Sequence, residues 1–283
     1  MNKHRLKQQL ADFFQEDIGF GDITSQAIFE NEQAEAVFIS KQTGIFCGEQ
    51  IILAAYELFS TEVTVDILKR DGEEIDVGDV IAKVSGPIVD LLSSERVVLN
   101  LVQRLSAIAT KTKQAVKEVE GTGVYISDTR KTTPGLRMLE KYAVRCGGGK
   151  NHRFGLDDAV LIKDNHIAKA GSVSKALQKV KEVTGHMTKI EVEVETFEQL
   201  KEAIVEEPDV IMLDNCSVED ATKWCKEIPS HIIVEISGGL TVSQIRDYAT
   251  TGVNVISMGA LTHSAQSLDI SLDILLKEGA THA

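Results

Sequence analysis

Val124-Tyr-Ile-Ser-Asp-Thr-Arg-Lys131 is a short β-prone run that passes without a spacer into charged residues. The same pattern recurs in Val160–Lys163, Ile190–Val194, Val210–Leu213, Ile232–Ile236 and Asn254–Met258. A helical stretch follows each run at intervals of roughly 20 to 36 residues, which is the alternation of a parallel α/β fold. The runs end on Asp128-Thr-Arg-Lys131, Lys163-Asp-Asn-His166, Glu193 to Glu195, Asp214-Asn215, Ser237-Gly-Gly239 and Gly259-Ala260. In a (β/α) barrel the carboxyl ends of the strands carry the active site, while the opposite ends serve stability. A solvated sheet would scatter such residues along both ends, so the pattern predicts a barrel rather than an open sheet.

Upstream of Val124 the pattern differs. Residues 1–92 combine a leading amphipathic helix with short alternating strands such as Ala36–Ser40 and Val63–Lys69, and Asp71-Gly72 and Gly78-Asp79 supply turns. Ser93 or Ser94 offers an N-cap to a long helix reaching about Glu120, with Val97, Leu101, Leu105 and Ile108 along one face. The net charge of −13 disfavours nucleic acid and anionic membrane as partners, and makes any cluster of Arg and Lys informative. No apolar h-region follows the basic N-terminus, and no apolar run is long enough to span a membrane. Cys47, Cys146, Cys216 and Cys225 form no C-x-x-C pair and read as reduced, inert thiols of a cytoplasmic protein. His4, His186, His231, His263 and His282 show no ligand spacing.

One cationic cluster exists. Arg130, Lys131, His152, Arg153 and Lys163 fall at strand ends or beside the Gly147-Gly-Gly149 turn, where barrel loops converge. A planar guanidinium suits carboxylates and phosphates, although a structural ion-pair network would use the same residues. Thr133 and Pro134 resemble an N-cap and first residue of a helix on which Arg137, Lys141 and Arg145 share a face, either solvated or in contact with substrate. Glu191, Glu193 and Glu195 alternate along one strand. In a buried parallel strand they must point inward and meet cations or a metal, whereas on an exposed edge they would need neither. Glu193 and Asp214, from adjacent strand ends, suit Mg²⁺, which takes few protein ligands and shares the rest with phosphates and water. Ser237, Gly238, Gly239 and Gly259 let backbone N–H groups approach a phosphate, though tight βα turns use the same residues. Arg104 borders the apolar arc of the long helix, either as a snorkelling side chain or as a reach toward an anion across an interface.

Taken together these residues resemble the quinolinate phosphoribosyltransferase family over essentially the whole chain. The resemblance rests on Asp128-Thr-Arg-Lys-Thr-Thr-Pro-Gly-Leu-Arg137, Lys141-Tyr-Ala-Val-Arg145, Asn151-His-Arg153, Leu161-Ile-Lys-Asp-Asn-His166, Gln103-Arg-Leu-Ser106 and Glu16-Asp-Ile-Gly-Phe-Gly-Asp22. Ala107 and Ile236 depart from the family's usual Gly and Ala without removing a functional group. The resemblance implies an open, seven-stranded α/β barrel over residues 107–267. It also implies an N-terminal α/β sandwich domain over 1–106, joined by the tail 268–283. It implies transfer of phosphoribosyl from phosphoribosyl pyrophosphate to quinolinate with decarboxylation, in a Mg²⁺-dependent homodimer. Arg130, His152, Arg153 and Lys163 would then hold the quinolinate carboxylates, and Lys131, Glu193 and Asp214 the ribose and Mg²⁺-pyrophosphate. Ser237, Gly238, Gly239 and Gly259 would hold the 5′-phosphate, and Arg104 would enter the neighbour's site.

The nearest alternative is a ribosyl-transferring homologue of the same fold, of the molybdenum-transport-associated type. Intact Arg130, His152, Arg153 and Lys163 favour a dicarboxylate, since a monocarboxylate needs fewer cations. A phosphate-binding barrel lyase or isomerase would need a Schiff-base lysine, for which Lys163 is the candidate. A binding protein without catalysis would leave the inward glutamates unexplained.

Overall fold

A computed structural model describes residues 1–276; His282 and the end of the expected tail lie outside the described residues. The described residues form two compact units, one of residues 1–110, 138–147 and 265–276, the other of residues 111–137 and 148–264. By contact, the helix Arg137–Cys146 falls almost wholly in the first unit.

Five strands in the first unit are β1 (Gln33–Ser40), β2 (Gly44–Ile45), β3 (Thr64–Ile67), β4 (Glu74–Ile75) and β5 (Val80–Pro87). β1 is the centre of an antiparallel sheet, paired on one side with β5 and on the other with the late strand Ile270–Leu275; β3 borders β5. Helices lie against this sheet because each offers an apolar stripe. The helix Lys3–Ile18 buries Leu6, Leu10 and Phe14, and Glu49–Phe59 buries Ile51, Ile52, Ala55 and Tyr56. Phe38 of β1 meets Tyr56 at 6.4 Å between ring centroids, and Phe14 meets Phe59 edge-on at 4.7 Å. The result is the expected α/β sandwich. The long helix runs from Ile88 to Glu118, beginning upstream of Ser93 and Ser94. Neither serine caps it: Ser94 is buried and donates back to the Leu91 carbonyl, and Ser93 donates to Asp22.

The second unit carries the six strands expected from the sequence: β6 (Tyr125–Ser127), β7 (Val160–Ile162), β8 (Ile190–Val194), β9 (Val210–Asp214), β10 (Ile233–Ser237) and β11 (Val255–Ser257). They form one parallel sheet in the order β6-β11-β10-β9-β8-β7. Pairing of the first strand with the last curls the sheet into a barrel. On the free side of β6 a seventh position is occupied only by a one-residue parallel bridge, Ser127 to Lys150. Among the described residues no ladder joins that bridge to β7, so the barrel is open there. Outside it, Val173–Val183 and Phe197–Glu206 fully bury Leu177 and Leu200, each capped by a hydroxyl, Ser172 or Thr196. No helix among the described residues is long and apolar enough to cross a membrane.

Phe38, with no exposed surface, is held between strand and helix. Phe38→Ala should cost about 3–5 kcal/mol of stability in urea denaturation; a loss below about 1 kcal/mol would mean that the sandwich is not close-packed there.

Candidate active site

The parallel register aligns inward residues in layers. Glu193 on β8 pairs in register with Met212 on β9 and Met212 with Glu235 on β10; one residue-pair further on, Asp214 aligns with Ser237. Above these lies a cavity of about 280 Å³ at the carboxyl ends of the strands. Arg130, Lys131, Arg153 and Lys163 line it together with Glu193, Asp214, His152 and Ser237, while Leu161 and Met212 add apolar surface. Eight of the twelve residues expected from the sequence thus share one cavity.

Lys163 donates from Nζ to Glu193 Oε1 at 2.7 Å. Burial raises the Glu193 carboxyl above its ordinary range; the Lys163 ammonium opposes this, and the charges of Asp214 and Glu191 add to it. Arg153 donates from Nη1 to the Ala159 carbonyl, but its buried Nε has no hydrogen-bond partner. Burial and the nearby Arg130 guanidinium pull Arg153 below its usual value, against the attraction of Glu191 and Glu193. A guanidinium desolvated beside a second one is a site prepared for an anion.

His152 and Arg153 are fixed by Asp128, which is fully buried at the end of β6. Its carboxylate accepts from Asn151 Nδ2 at 2.6 Å and from the His152 backbone N–H at 2.9 Å. The Arg153 N–H donates to His152 Nδ1 at 2.8 Å. Nδ1 is therefore an acceptor, and the ring proton sits on Nε2, 3.0 Å from Glu191 Oε2 and 3.5 Å from Glu235 Oε1. Both ring nitrogens are engaged within the protein, so a substrate carboxylate at His152 must displace one of these contacts.

Glu235 was not singled out in the sequence. It is 4% exposed, and burial, then the charge of Glu191, pushes its carboxyl up to about 7. The available signal was one glutamate inside the apolar run Ile232-Ile-Val-Glu-Ile236 of a strand buried on both faces. Glu191 faces inward as expected, whereas Glu195 lies beyond the end of β8 and is exposed.

Gly238, Gly239 and Gly259 are not among the cavity-lining residues, although the first two directly follow Ser237 and Gly259 abuts the Lys131 side chain. At Gly238 φ is +109°, and an added Cβ would lie 2.6 Å from the Asn215 backbone nitrogen, so only glycine lets the ends of β9 and β10 approach this closely. Thr133 and Pro134 do not open a helix. Gly135 at φ +84° breaks the path, Leu136 N–H closes a turn on the Thr133 carbonyl, and the helix begins at Arg137. Its basic residues share no solvated face. Arg137 donates to Thr132 Oγ1 and the Phe154 carbonyl, Lys141 is 2% exposed, and exposed Arg145 lies over the Tyr142 ring. Arg104, in the first unit, donates from Nε and Nη2 to Oε1 of fully buried Glu140 at 2.9 and 2.6 Å.

A parallel barrel that gathers four permanent cations and two carboxylates at its strand ends has the site of an enzyme acting on a small polyanion. Family models for quinolinate phosphoribosyl transferase match residues 22–106 (N-terminal domain) and 108–273 (C-terminal domain). The chain is 53% identical over 276 residues to the probable carboxylating nicotinate-nucleotide pyrophosphorylase of Bacillus subtilis, covering 98% of this chain and 96% of that one. It is 44% identical to the corresponding probable enzyme of Methanocaldococcus jannaschii, with 92% and 93% covered. The solved nicotinate-nucleotide pyrophosphorylase of Francisella tularensis superposes with a TM-score of 0.93 at 36% identity, over 97% of this chain and 98% of that one. The chain belongs to the quinolinate phosphoribosyl transferase family.

Because folding raises the Glu235 carboxyl from 4.5 to about 7, its contribution to stability is present at low pH and lost as pH rises through about 7. Melting temperature should therefore fall between about pH 4.5 and about pH 7 and level off above, and Glu235→Gln should flatten that fall. Parallel slopes for the two proteins would show that Glu235 does not titrate in this range.

Proposed function

We propose that the chain transfers phosphoribosyl from phosphoribosyl pyrophosphate to quinolinate and releases CO₂, giving nicotinate mononucleotide and pyrophosphate. The observation that carries this reading is the single cavity in which Arg130, Arg153 and Lys163 face Glu193 and Asp214, in a chain of this family. Two adjacent carboxylates on a flat ring call for more than one cation, and Leu161 and Met212 offer apolar surface for the ring itself. In this reading Arg130, Arg153, Lys163 and a reoriented His152 grip the dicarboxylate. Lys131, exposed at the mouth, takes the pyrophosphate, and Ser237 with the turns at Gly238-Gly239 and Gly259 takes the 5′-phosphate.

Glu193 and Asp214 fit Mg²⁺: both offer hard oxygen ligands, both line the cavity, and the Asp214 charge adds to the rise that burial imposes on Glu193. Bound Mg²⁺ would neutralise charge on the departing pyrophosphate. The carboxylates of Glu193 and Asp214 also face the ribose as its anomeric carbon becomes cationic, and Lys131 stabilises the leaving phosphates. The pyridine nitrogen carries no proton, so its attack needs no general base. Once quaternised, the ring nitrogen stabilises the electron pair left on the neighbouring carbon when its carboxylate departs as CO₂, and that carbon then takes a proton from water. Arg153 and Arg130 hold the second carboxylate throughout, which keeps decarboxylation at one ring position.

The working form in this reading is a cytoplasmic homodimer in which Arg104 of one protomer completes the neighbour's site. Arg104 is held in a defined geometry by Glu140, so it is presented rather than free to collapse.

Purified protein with Mg²⁺ should convert quinolinate far faster than nicotinate; equal turnover of the two acids would overturn the dicarboxylate reading. Arg104→Lys keeps a charge opposite buried Glu140 but loses the planar fork, and should be folded with activity down by about 10-fold or more. Mixing it with inactive Lys163→Ala subunits should restore part of the activity. No recovery in demonstrated mixed dimers would rule out a shared site.

A further inference from the structure

The first unit holds a side-chain cluster that phosphoribosyl transfer does not use. The sulfurs of Cys47 and Cys146 and a carboxylate oxygen of Asp71 lie within 4.8 Å of one another. Three segments distant in sequence meet here: the start of the Glu49–Phe59 helix, the Asp71-Gly72 turn and the end of the Arg137–Cys146 helix. Cys47 is fully buried and Cys146 is partly exposed. Read as scattered and inert in the sequence, these two thiols are neighbours in the fold.

Asp71 is already committed. Oδ1 accepts the backbone N–H groups of Gly48 and Glu49 at 2.6 and 2.9 Å, and Oδ2 accepts the Tyr142 hydroxyl at 2.7 Å. The carboxylate thus anchors the start of one helix and a side chain of another, and three donors already occupy it. A metal ion would have to strip these donors away, whereas the two sulfurs can react with each other without disturbing them. Their surroundings also differ. The Cys47 thiol beside it lowers Cys146 below the usual thiol range; burial and Asp71 oppose this, and Tyr142 and Arg145 assist it. Burial pushes Cys47 up, so it keeps its proton. A partly exposed cysteine whose thiol is lowered, beside a fully buried one whose thiol is raised, is the division of labour of an attacking and a resolving cysteine.

We infer that Cys47 and Cys146 form a hydroperoxide-reactive dithiol, a modification site that closes to an intramolecular disulfide. The Cys146 sulfur attacks one oxygen of the peroxide, the O–O bond breaks, and the released hydroxide leaves as water with the proton given up by Cys146. The sulfenic acid on Cys146 is then attacked by the Cys47 sulfur: the S–S bond forms, the S–O bond breaks, and the departing hydroxide takes the Cys47 proton. Two thiols lose two electrons, and one hydrogen peroxide becomes two waters. The sulfurs, within 4.8 Å of each other, must close to about 2.05 Å.

The test treats the whole protein with equimolar hydrogen peroxide, alkylates the remaining thiols after denaturation and maps peptides without reduction. A peptide joining Cys47 to Cys146 is expected, with two of the four thiols lost and both recovered by dithiothreitol. Cys146→Ser, at a partly exposed position, should form no such link and leave Cys47 alkylatable, while Cys216→Ser should leave the link unchanged. Survival of all four thiols would overturn the inference. So would links through Cys216 or Cys225, or oxidation of Cys146 to sulfinic acid with Cys47 still free.

Discussion

A carboxylate inside a parallel barrel must be offset by a cation, a donor or a proton, because burial in a low-dielectric interior otherwise costs several kcal/mol per charge. Besides Asp128 at the end of β6, three such groups of the second unit, Glu191, Glu193 and Glu235, lie on two strands separated by one. Each is met differently. Glu193 takes the Lys163 ammonium, Glu191 takes the His152 Nε2 proton, and Glu235 is pushed toward keeping its own proton. Lys163 and His152 are therefore held in place by Glu193 and Glu191. Pairing with Glu193 and Glu191 offsets part of the positive charge that the cavity gathers.

Much of this was legible because it depends on local pattern. β-branched runs ending in charge fix the six strands within a residue or two, and strand alternation brings Glu193 and Asp214 to the cavity with Arg130 and Lys163. What escaped depends on contacts between distant segments. Glu235 looks like one polar residue in an apolar run until the barrel curls and brings His152 to it. Lys141 sits on a helical pattern that would suit solvent, yet its helix packs into the first unit and buries it. Cys47 and Cys146, 99 residues apart, carry no spacing signal at all. The start of that helix was misread for a local reason: Thr133-Pro134 has the chemistry of a cap, but Gly135 takes a φ that no helix permits.

The single-residue bridge at Lys150 follows from the same excursion. After Ser127 the chain leaves the barrel, contributes residues 138–147 to the first unit, and returns through Gly147-Gly148-Gly149. Only Lys150 then lies alongside β6, donating its N–H to Ile126 and accepting from Asp128 N–H. At that point Asp128 takes hold of the strand by its side chain, binding Asn151 and the His152 backbone and so ending the ladder. A longer seventh strand would carry residues 151–153 straight along β6 in a regular ladder. The clasp instead turns them across the top of the barrel, where Arg153 and His152 reach the cavity. Among the described residues the barrel is thus one strand short of regular pairing at the place where Arg153 and His152 reach the cavity, and a carboxylate with no exposed surface holds them there.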